Sequence, residues 1–448
     1  MENLTMNRRR FMRNMLVSGS AAYAAGGMQL VNAATAQDQT DYKALVCVFL
    51  FGGNDSFNML TPLHGQARTD YENVRGGLAR PLGLEIFPRG QSFEGGLALD
   101  IEMAGLKDLF DQGKLAIQGN VGPLIEPVLD EQGNIRPDSS YPKGLYAHDA
   151  SQQNWMRGAD LAQKGTGWGG RVLDAVEGEN SSNQAFMSNI SLAGSNFWQA
   201  GALHSPYSIP RDGKIQTNFM GNGNITWIRT NAIENLRRSE KSNHRLKAAF
   251  GNLFENAMDN NSSLVEQLAD VEESTIVFPG DNGLAQDLKA VSKMIEVGRN
   301  NGLSRQVFFV GLGGFDTHNN QSSSHPNLLR ILSEAMATFY DYSVEKGLEN
   351  NITTFTMSDF GRSIRSNGDG TDHGWAGHQF ILGGAVDGGR IYGDMPLQSS
   401  STNPVPTTSN EQMFASLAKW YGVTDDQALK QIFPNLKNFN ANPIDYFG

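Results

Sequence analysis

The feature of this sequence that most limits its possible folds is a continuous apolar segment, ALVCVFLF (residues 44–51). It stops at Gly52-Gly53 and is followed by Asn54 and Asp55. An apolar run without polar alternation predicts a strand that is buried on both faces, as in a parallel sheet covered by helices. The glycine pair predicts a sharp turn, because glycine adopts backbone conformations that other residues avoid. We therefore expect Asp55 just past the carboxyl end of a buried strand.

The same pattern occurs twice more along the chain. RQVFFVGLGGFDTH (residues 305–318) and NITTFTMSDFGRS (residues 351–363) each join an apolar strand to an aspartate, Asp316 or Asp359. Further predicted elements are the strands Leu115–Gln118 and His378–Val386 and the helices that begin near Met103, Ala147, Gly165, Pro326 and Glu411. Strands that alternate with helices predict an α/β fold with a mostly parallel central sheet and helices on both faces. Ligands of such sheets bind outside the carboxyl ends of the strands, so we expect the three aspartates to line one site.

The N-terminal segment has the three parts of a secretory signal. A basic stretch, NRRRFMR (residues 7–13), precedes an apolar run from Met15 to Val31 and an A-x-A cleavage pattern at residues 34–36. The pair Arg8-Arg9 indicates the twin-arginine (Tat) class, so we expect residues 1–36 to be a Tat signal peptide read by the Tat translocase. A transmembrane anchor is the alternative, although the apolar run is short and rich in Gly and Ala.

The mature chain, residues 37–448, is then expected to be one large α/β domain with a helical insertion around residues 227–300. The predicted location is periplasmic or secreted, with no permanent membrane span in the mature chain. The chain has 448 residues, a formal net charge of −11 and a pI of about 5.3. It has no long basic stripe, which argues against nucleic-acid binding. The single cysteine, Cys47, excludes an intramolecular disulfide and lies in the first predicted strand as a core thiol.

Two of the strand-end motifs contain candidate metal ligands. In GGFDTH, Asp316 and His318 are two residues apart, so in extended chain their side chains point the same way and form a ligand pair for Zn²⁺ or a similar ion. The alternative is a turn in which Asp316 caps the following helix. In TMSDFGR, Asp359 could hold a metal while Arg362 clamps an anionic substrate. The alternative is an Asp359–Arg362 ion pair that fixes the turn.

Two further segments supply polar candidates. GTDHGWAGH contains Asp372, His373 and His378 between glycines that allow close backbone approach to a ligand. Two histidines and an acid in a loop without helical periodicity favour a functional site. LYAHDASQQNW places His148 and Ser151 at a predicted helix start, where helix N-termini attract anions. Helix capping is the alternative interpretation of that serine.

The motifs together resemble those of a known family. FGGNDSFNML, GWGGR, GLGGFDTHNNQ, SDFGRS, SNGDGTDHGWAGHQF and VPTTS are similar to a family of Tat-exported bacterial proteins of unassigned function (domain of unknown function 1501). That family is placed in the alkaline phosphatase and sulfatase-like superfamily. The resemblance extends from about Lys43 to Phe447. It implies an alkaline phosphatase-like sheet, two divalent metals at its carboxyl edge and the cleavage of phosphate or sulfate esters.

The resemblance also assigns roles to individual residues. It implies that Asp55 is the first-strand metal ligand, that Asp316 belongs to the second metal with His318 beside it, and that Asp359 is the aspartate of an Asp-His-Gly element. It implies that His373 or His378 is the last histidine ligand. Two departures stand out: Phe360 replaces the histidine of the Asp-His-Gly element, and Ala147 stands where relatives have a serine, which leaves Ser151 as a substitute nucleophile.

The resulting functional expectation is an exported, metal-dependent hydrolase of phosphate or sulfate esters. One or two divalent ions (Zn²⁺, Mn²⁺ or Ca²⁺) would be held by Asp55, Asp316, His318, Asp359, His373 and His378. Arg362 would bind the substrate anion, and His148 or Ser151 would lie on the attacking side. The ligand would be an anionic ester or a glycan. The alternative is a non-catalytic envelope binding or assembly protein on the same fold.

Overall fold

The computed structural model describes residues 42–159, 165–178, 185–211, 244–395, 403–439 and 444–448, with isolated positions 231, 235 and 238. The predicted signal peptide, residues 1–36, lies outside the described residues. Among the helices of the described part, none is both long and apolar enough to cross a membrane.

In the described part of the chain, the core is a nine-stranded sheet with helices on both sides. Its strands are β1 (Lys43–Leu50), β5 (Leu115–Gly122), β6 (Asn189–Ser191), β7 (Tyr207–Ser208), β8 (Arg305–Leu312), β9 (Ile352–Ser358), β12 (Gly377–Leu382), β13 (Arg390–Tyr392) and β14 (Thr408–Ser409). Their spatial order is β13-β5-β12-β9-β1-β8-β6-β7, with β14 also paired to β5. Only β12 runs antiparallel to its neighbours β5 and β9; the other pairs are parallel. The expected mostly parallel α/β sheet is confirmed.

Two small sheets accompany the central one. Strands β2 (Leu60–Pro62), β3 (Leu84–Ile86) and β4 (Leu97–Leu99) form one of them. Strands β10 (Arg362–Ser366) and β11 (Thr371–His373) form the other, an antiparallel hairpin.

The helices are spread along the whole described chain. They are α1 (Ser56–Met59), α2 (Gly65–Arg75), α3 (Ala104–Asp111), α4 (His148–Arg157), α5 (Trp168–Glu177), α6 (Arg245–Ala269), α7 (Gly283–Asn300), α8 (Gln321–Glu345), α9 (Asn410–Tyr421) and α10 (Asp426–Ile432). Helices α6 and α7 cover much of the predicted helical insertion, while most of residues 227–243 lies outside the described residues. Helix α8 begins five residues before the expected Pro326, which therefore lies inside the helix and leaves the Ser322 carbonyl without its usual intrahelical donor.

Strand β1 explains why the sheet is covered on both faces. Its alternate side chains enter two different apolar clusters: Val46 and Val48 join one, and Cys47 and Phe49 the other. Helices α7 and α8 supply the first cluster, and α4, α5 and α9 supply the second. Cys47 is fully buried, and its burial raises the pKa of the thiol well above the usual value, as expected for a core residue.

The three strands with the motif are neighbours. Strand β1 lies between β8 and β9, and Leu50 pairs with Leu312 on one side and with Ser358 on the other. The strands therefore end at one level, and the segments that follow them meet at one edge of the sheet.

Candidate functional site

Side chains from four separate segments meet at this carboxyl edge. We call His148, Asp316, His318, Asp359 and His373 the His/Asp cluster. His148 is the first residue of α4, Asp316 and His318 follow β8, Asp359 follows β9, and His373 ends β11. The β10–β11 hairpin packs tightly on the segment after β8, because a Cβ at Gly370 would lie 2.2 Å from the carbonyl oxygen of Thr317. This close approach places His373 beside His318.

The three imidazoles present the same nitrogen to Asp316. The Nε2 atoms of His148, His318 and His373 lie 3.5, 3.2 and 3.3 Å from carboxylate oxygens of Asp316. The ligand atoms of His148, Asp316 and His373 all lie within 4.8 Å of one another. Two nitrogens and one carboxylate oxygen are thus close enough to share one ion, and His318 lies beside His373 and Asp316.

The other ring nitrogens face oxygen atoms. His148 Nδ1 donates to Asp359 Oδ2 at 2.6 Å, and His373 Nδ1 donates to the Tyr146 carbonyl at 2.6 Å. His318 Nδ1 lies 3.5 Å from Asp372 Oδ1. A hydrogen bond at Nδ1 fixes the tautomer and leaves the Nε2 lone pair for a ligand, which is the usual outer arrangement of metal-binding histidines.

These distances fit a divalent ion. With ligand bonds of about 2.0–2.1 Å, neighbouring ligand atoms of a tetrahedral site lie roughly 3.3–3.4 Å apart. The three Nε2-to-Asp316 distances bracket that value. The Nε2 atoms of His318 and His373 lie only 2.8 Å apart, so these two rings would have to separate slightly to bind the same ion. The nitrogen-rich set favours Zn²⁺ over Ca²⁺, which takes oxygen ligands.

Electrostatics in the cluster favour an anionic Asp316 and a neutral His373. Burial opposes ionisation of Asp316, but the hydrogen bond and charge of Arg362 lower its pKa below the ordinary value. Burial lowers the pKa of His373, against the opposing hydrogen bond to the Tyr146 carbonyl. A neutral histidine and a carboxylate are the protonation states that a metal ion requires.

Phe360, the residue that replaces an expected histidine, packs inside the cluster. Its ring lies 4.9 Å from the His148 ring and 4.3 Å from the His373 ring, between centroids. Gly53 makes room for it, because a Cβ there would lie 2.3 Å from the Phe360 ring. The phenylalanine therefore limits the movement of two imidazoles and donates no ligand.

Arg362, which was predicted to bind a substrate anion, is buried in the protein and contacts Asp316 of the cluster. Its guanidinium is fully buried and donates to the carbonyls of Gly52, Gly53, Phe315 and Thr371 and to Asp316. All of its nitrogens have partners, so Arg362 ties together the ends of the strands and orients Asp316. A buried and fully paired guanidinium does not match the prediction that Arg362 binds a substrate anion.

Asp55 does reach the predicted edge, but it is engaged elsewhere. Its carboxylate receives a bidentate pair from Arg75 at 2.7 and 2.9 Å, and both side chains are fully buried. Gln321 donates to the same carboxylate and accepts from Thr371, which starts β11. Because a guanidinium already satisfies both oxygens, the structure leaves Asp55 outside the His/Asp cluster, unlike the predicted metal ligand.

His378 and Ser151 are also outside it. The His378 ring is buried against Phe57, its Nδ1 accepts from the Asn120 amide at 3.1 Å, and burial lowers its pKa to about 4. Between the two predicted histidines, the structure therefore brings His373 to the cluster and not His378. Ser151 is buried in the first turn of α4 with 3% of its surface exposed, which disfavours its predicted role as a nucleophile.

Sequence reasoning missed three residues that shape this site: Gln152, Tyr146 and Arg75. Gln152 Nε2 donates to Asp359 Oδ2 at 3.1 Å. Gln152 is four residues after His148, so the two side chains lie on one helix face. This spacing could have identified Gln152 from the sequence. Tyr146 acts through its carbonyl and has a positive φ of 69°, which no local pattern announces.

Comparisons with known proteins give a family. The family described as "Protein of unknown function (DUF1501)" matches residues 130–434, which include the whole His/Asp cluster, and the chain belongs to this family. No curated protein matches the sequence.

Several solved structures are similar in fold at low identity. They include the PsFucS1 sulfatase from Pseudoalteromonas sp. (10% identity, TM-score 0.36, 90% of this chain and 72% of that chain). Ps i-CgsB in complex with k-i-k-neocarrahexaose is another (9%, TM-score 0.37, 90% and 78%). A third is the lipoteichoic acid synthase LtaP from Listeria monocytogenes (9%, TM-score 0.31, 86% and 81%).

Proposed function

We propose that this member of the DUF1501 family is an exported, metal-dependent hydrolase of phosphate or sulfate esters. One divalent ion, Zn²⁺ or Mn²⁺, is held by His148, Asp316, His318 and His373. The observation that carries the proposal is the convergence of three Nε2 atoms on the Asp316 carboxylate. The proposal does not include the second metal ion that the superfamily resemblance implies, because the carboxylate of Asp55 is already paired with Arg75.

The charges around the cluster suit this role. Asp316 and Asp359 bring two negative charges and Arg362 one positive charge, so the cluster attracts a cation before it can attract an anionic ester. A bound divalent ion would act as a Lewis acid that polarises an oxygen of the phosphate or sulfate group. Asp359 would keep the proton on Nδ1 of His148, and Arg362 would hold the Asp316 carboxylate in place.

The site is open to a substrate. The side chains of Asp316 and His318 are 48% and 39% exposed. Two tyrosines with exposed side chains belong to segments that contact the site or its neighbours. Tyr146 binds His373 through its carbonyl, and the Tyr141 ring lies 5.8 Å from that of Trp375, which is two residues beyond His373 in the chain. Exposed aromatic faces next to an ester-binding site favour a substrate whose ester is on a sugar ring, since amphipathic rings pack well on tyrosine.

Non-catalytic binding on the same fold is the second candidate. It is favoured by Phe360 in the place of a ligand and by the burial of Ser151, which leaves the cluster without a side-chain nucleophile from that helix. A hydrolase with this cluster would use water as the nucleophile.

The experiment is elemental analysis of the purified mature protein with a panel of phosphate and sulfate esters. We expect close to one Zn²⁺ or Mn²⁺ per chain, and turnover that is lost in Asp316→Asn and His373→Gln. His64→Gln is the matched control, because His64 is exposed outside the cluster. Bound metal without turnover would favour a non-catalytic binding protein. If the protein takes up no added Zn²⁺ or Mn²⁺, both the metal site and the hydrolase function are excluded.

Export by the Tat pathway is part of the proposal. We expect Arg8→Lys with Arg9→Lys to keep the full chain in the cytoplasm, because the signal requires the arginine pair. Normal export of this double variant would exclude the Tat route and leave the rest of the proposal intact.

A further inference from the structure

We infer that Gln152 is a positioning residue of the proposed metal centre: through Asp359 it fixes the ring of His148 in the orientation that binds the ion. The inference rests on the proposed metal site and goes beyond it, because Gln152 does not touch the ion position. It assigns a role to the side chain that, among the described residues, joins His148 in holding Asp359.

The geometry is a fork of two donors on one oxygen. His148 Nδ1 and Gln152 Nε2 donate to Asp359 Oδ2 at 2.6 and 3.1 Å. The two donors are one turn apart on α4, so they reach the carboxylate from the same helix face. The helix is thereby attached to the end of β9 at the point where His148 enters the cluster.

Asp359 depends on these two donors. Its side chain is fully buried, and within the described part of the chain its Oδ1 has no hydrogen-bond partner. A buried carboxylate with few partners turns toward whichever donors are present, because an unsatisfied charge is costly. Without Gln152, His148 would be the one remaining donor to Asp359 in the described part of the chain, and the carboxylate could rotate and carry the imidazole with it.

The other contacts of the His148 ring are aromatic, with the rings of Phe360 and His373 at 4.9 and 4.6 Å between centroids. Phe360 packs against the ring, but an aromatic contact sets the plane and not the tautomer. The hydrogen bond to Asp359 sets the tautomer and directs Nε2 toward Asp316. Loss of an outer partner of this kind commonly weakens metal affinity tenfold or more.

The neighbouring glutamine provides a matched control. Gln153 has the same side chain on the same helix, but it accepts from Arg157 at 3.2 Å and has no contact with Asp359. A general effect of changing a glutamine on α4 should appear in both variants.

The test measures Zn²⁺ affinity of the mature protein by competition with a chromophoric chelator. We expect Gln152→Leu to weaken binding about tenfold, and Gln153→Leu to leave it unchanged. Gln152→Lys, which restores a donor of similar length, should recover most of the loss. The Nδ1 proton of His148, followed by NMR, should exchange faster with solvent in Gln152→Leu only.

The outcomes separate this inference from the proposed function. Wild-type protein that binds no Zn²⁺ would remove the metal site itself. The positioning role alone would be overturned if wild type and Gln152→Leu bound Zn²⁺ with equal, high affinity. It would also be overturned if the Zn²⁺ affinity of Gln152→Lys were no higher than that of Gln152→Leu. If Gln152→Leu does not fold, the comparison of Gln152→Lys with wild type decides, since near wild-type affinity is then required.

Discussion

The Nε2 atoms of His318 and His373 lie 2.8 Å apart, and both rings also face Asp316. His373 donates through Nδ1 to a carbonyl, so its Nε2 carries a lone pair. Two ring nitrogens at this distance share one proton, so without an ion His318 carries its proton on Nε2 and donates it to His373. An ion that binds Nε2 of His373 must therefore replace this hydrogen bond between the two histidines.

The first prediction is that Zn²⁺ stabilises the folded chain. At a free concentration of one hundred times Kd, binding adds about 2.7 kcal/mol to the free energy of unfolding. Thermal unfolding with and without Zn²⁺ should show a higher melting temperature for wild type and for His64→Gln. The shift should disappear in His373→Gln. An equal shift in that variant would locate the ion elsewhere.

The second prediction concerns the buried pair Asp55–Arg75. Asp55→Asn leaves the guanidinium without its counter-charge, which should reduce the free energy of unfolding by about 3–5 kcal/mol. The protein that remains folded should still carry one metal ion, because the pair holds the scaffold and not the ion. Urea unfolding and elemental analysis check the two parts. If a well-folded Asp55→Asn variant loses its metal ion, Asp55 is a metal ligand after all.

The third prediction is a pH dependence of stability away from the cluster. Burial lowers the pKa of His204, but hydrogen bonds to Asp174 and Glu177 outweigh this and raise it to about 9. The folded state thus holds a proton that the unfolded state releases above about pH 6.5. Stability from this group is complete below pH 6.5 and is lost as the pH rises through about 9, by on the order of 2–3 kcal/mol.

Urea unfolding at pH 6.5 and pH 9 measures this loss. His204→Gln is the comparison, because it removes the titrating group and should flatten the difference between the two pH values. Equal pH dependence of wild type and variant would mean that the ion pair with Asp174 contributes nothing.

The fourth prediction concerns the two exposed tyrosines. Removing an aromatic face that packs on a sugar costs about 1 kcal/mol, so Tyr141→Ala should raise KM for a sugar phosphate or sulfate roughly fivefold. KM for a nitrophenyl ester without a sugar should not change. Phe87→Ala is the control, because Phe87 is 72% exposed and belongs to the segment after β3. A similar rise for both substrates would exclude a sugar-specific contact.

The fifth prediction excludes a serine nucleophile. Ser151→Ala should keep wild-type turnover, because the hydroxyl is buried within α4. Steady-state kinetics with the best ester of the panel measure this directly. A fall of a hundredfold or more in kcat with unchanged metal content would assign the attack to Ser151.

The sequence predicted the sheet well because the signal is local. The apolar runs that end at Gly52-Gly53 and before Asp316 and Asp359 define strands and their ends without reference to the rest of the chain. The antiparallel direction of β12 has no such signal, since the same apolar run fits either direction.

The site was only partly predictable. His148, Asp316 and His373 were recognised as reactive residue types, but their convergence depends on contacts between distant segments. The partner of Asp55 could not be found, because nothing in the segment around Arg75 distinguishes a buried ion pair from a surface helix charge. The position of Arg362 could not be predicted either. Four of its five acceptors are backbone carbonyls, and since every residue has a carbonyl, the sequence does not show which ones an arginine will bind.

The hydrogen bond from His373 to the Tyr146 carbonyl joins residues 227 positions apart in the chain. The unfolded chain therefore offers no preformed binding site, and the ion can be captured only as folding nears completion. The choice among competing metals would then be made by the compartment in which the chain folds. If the Tat signal operates as expected, that compartment is the cytoplasm, and the metal that later serves outside the cell membrane is selected from the cytoplasmic pool.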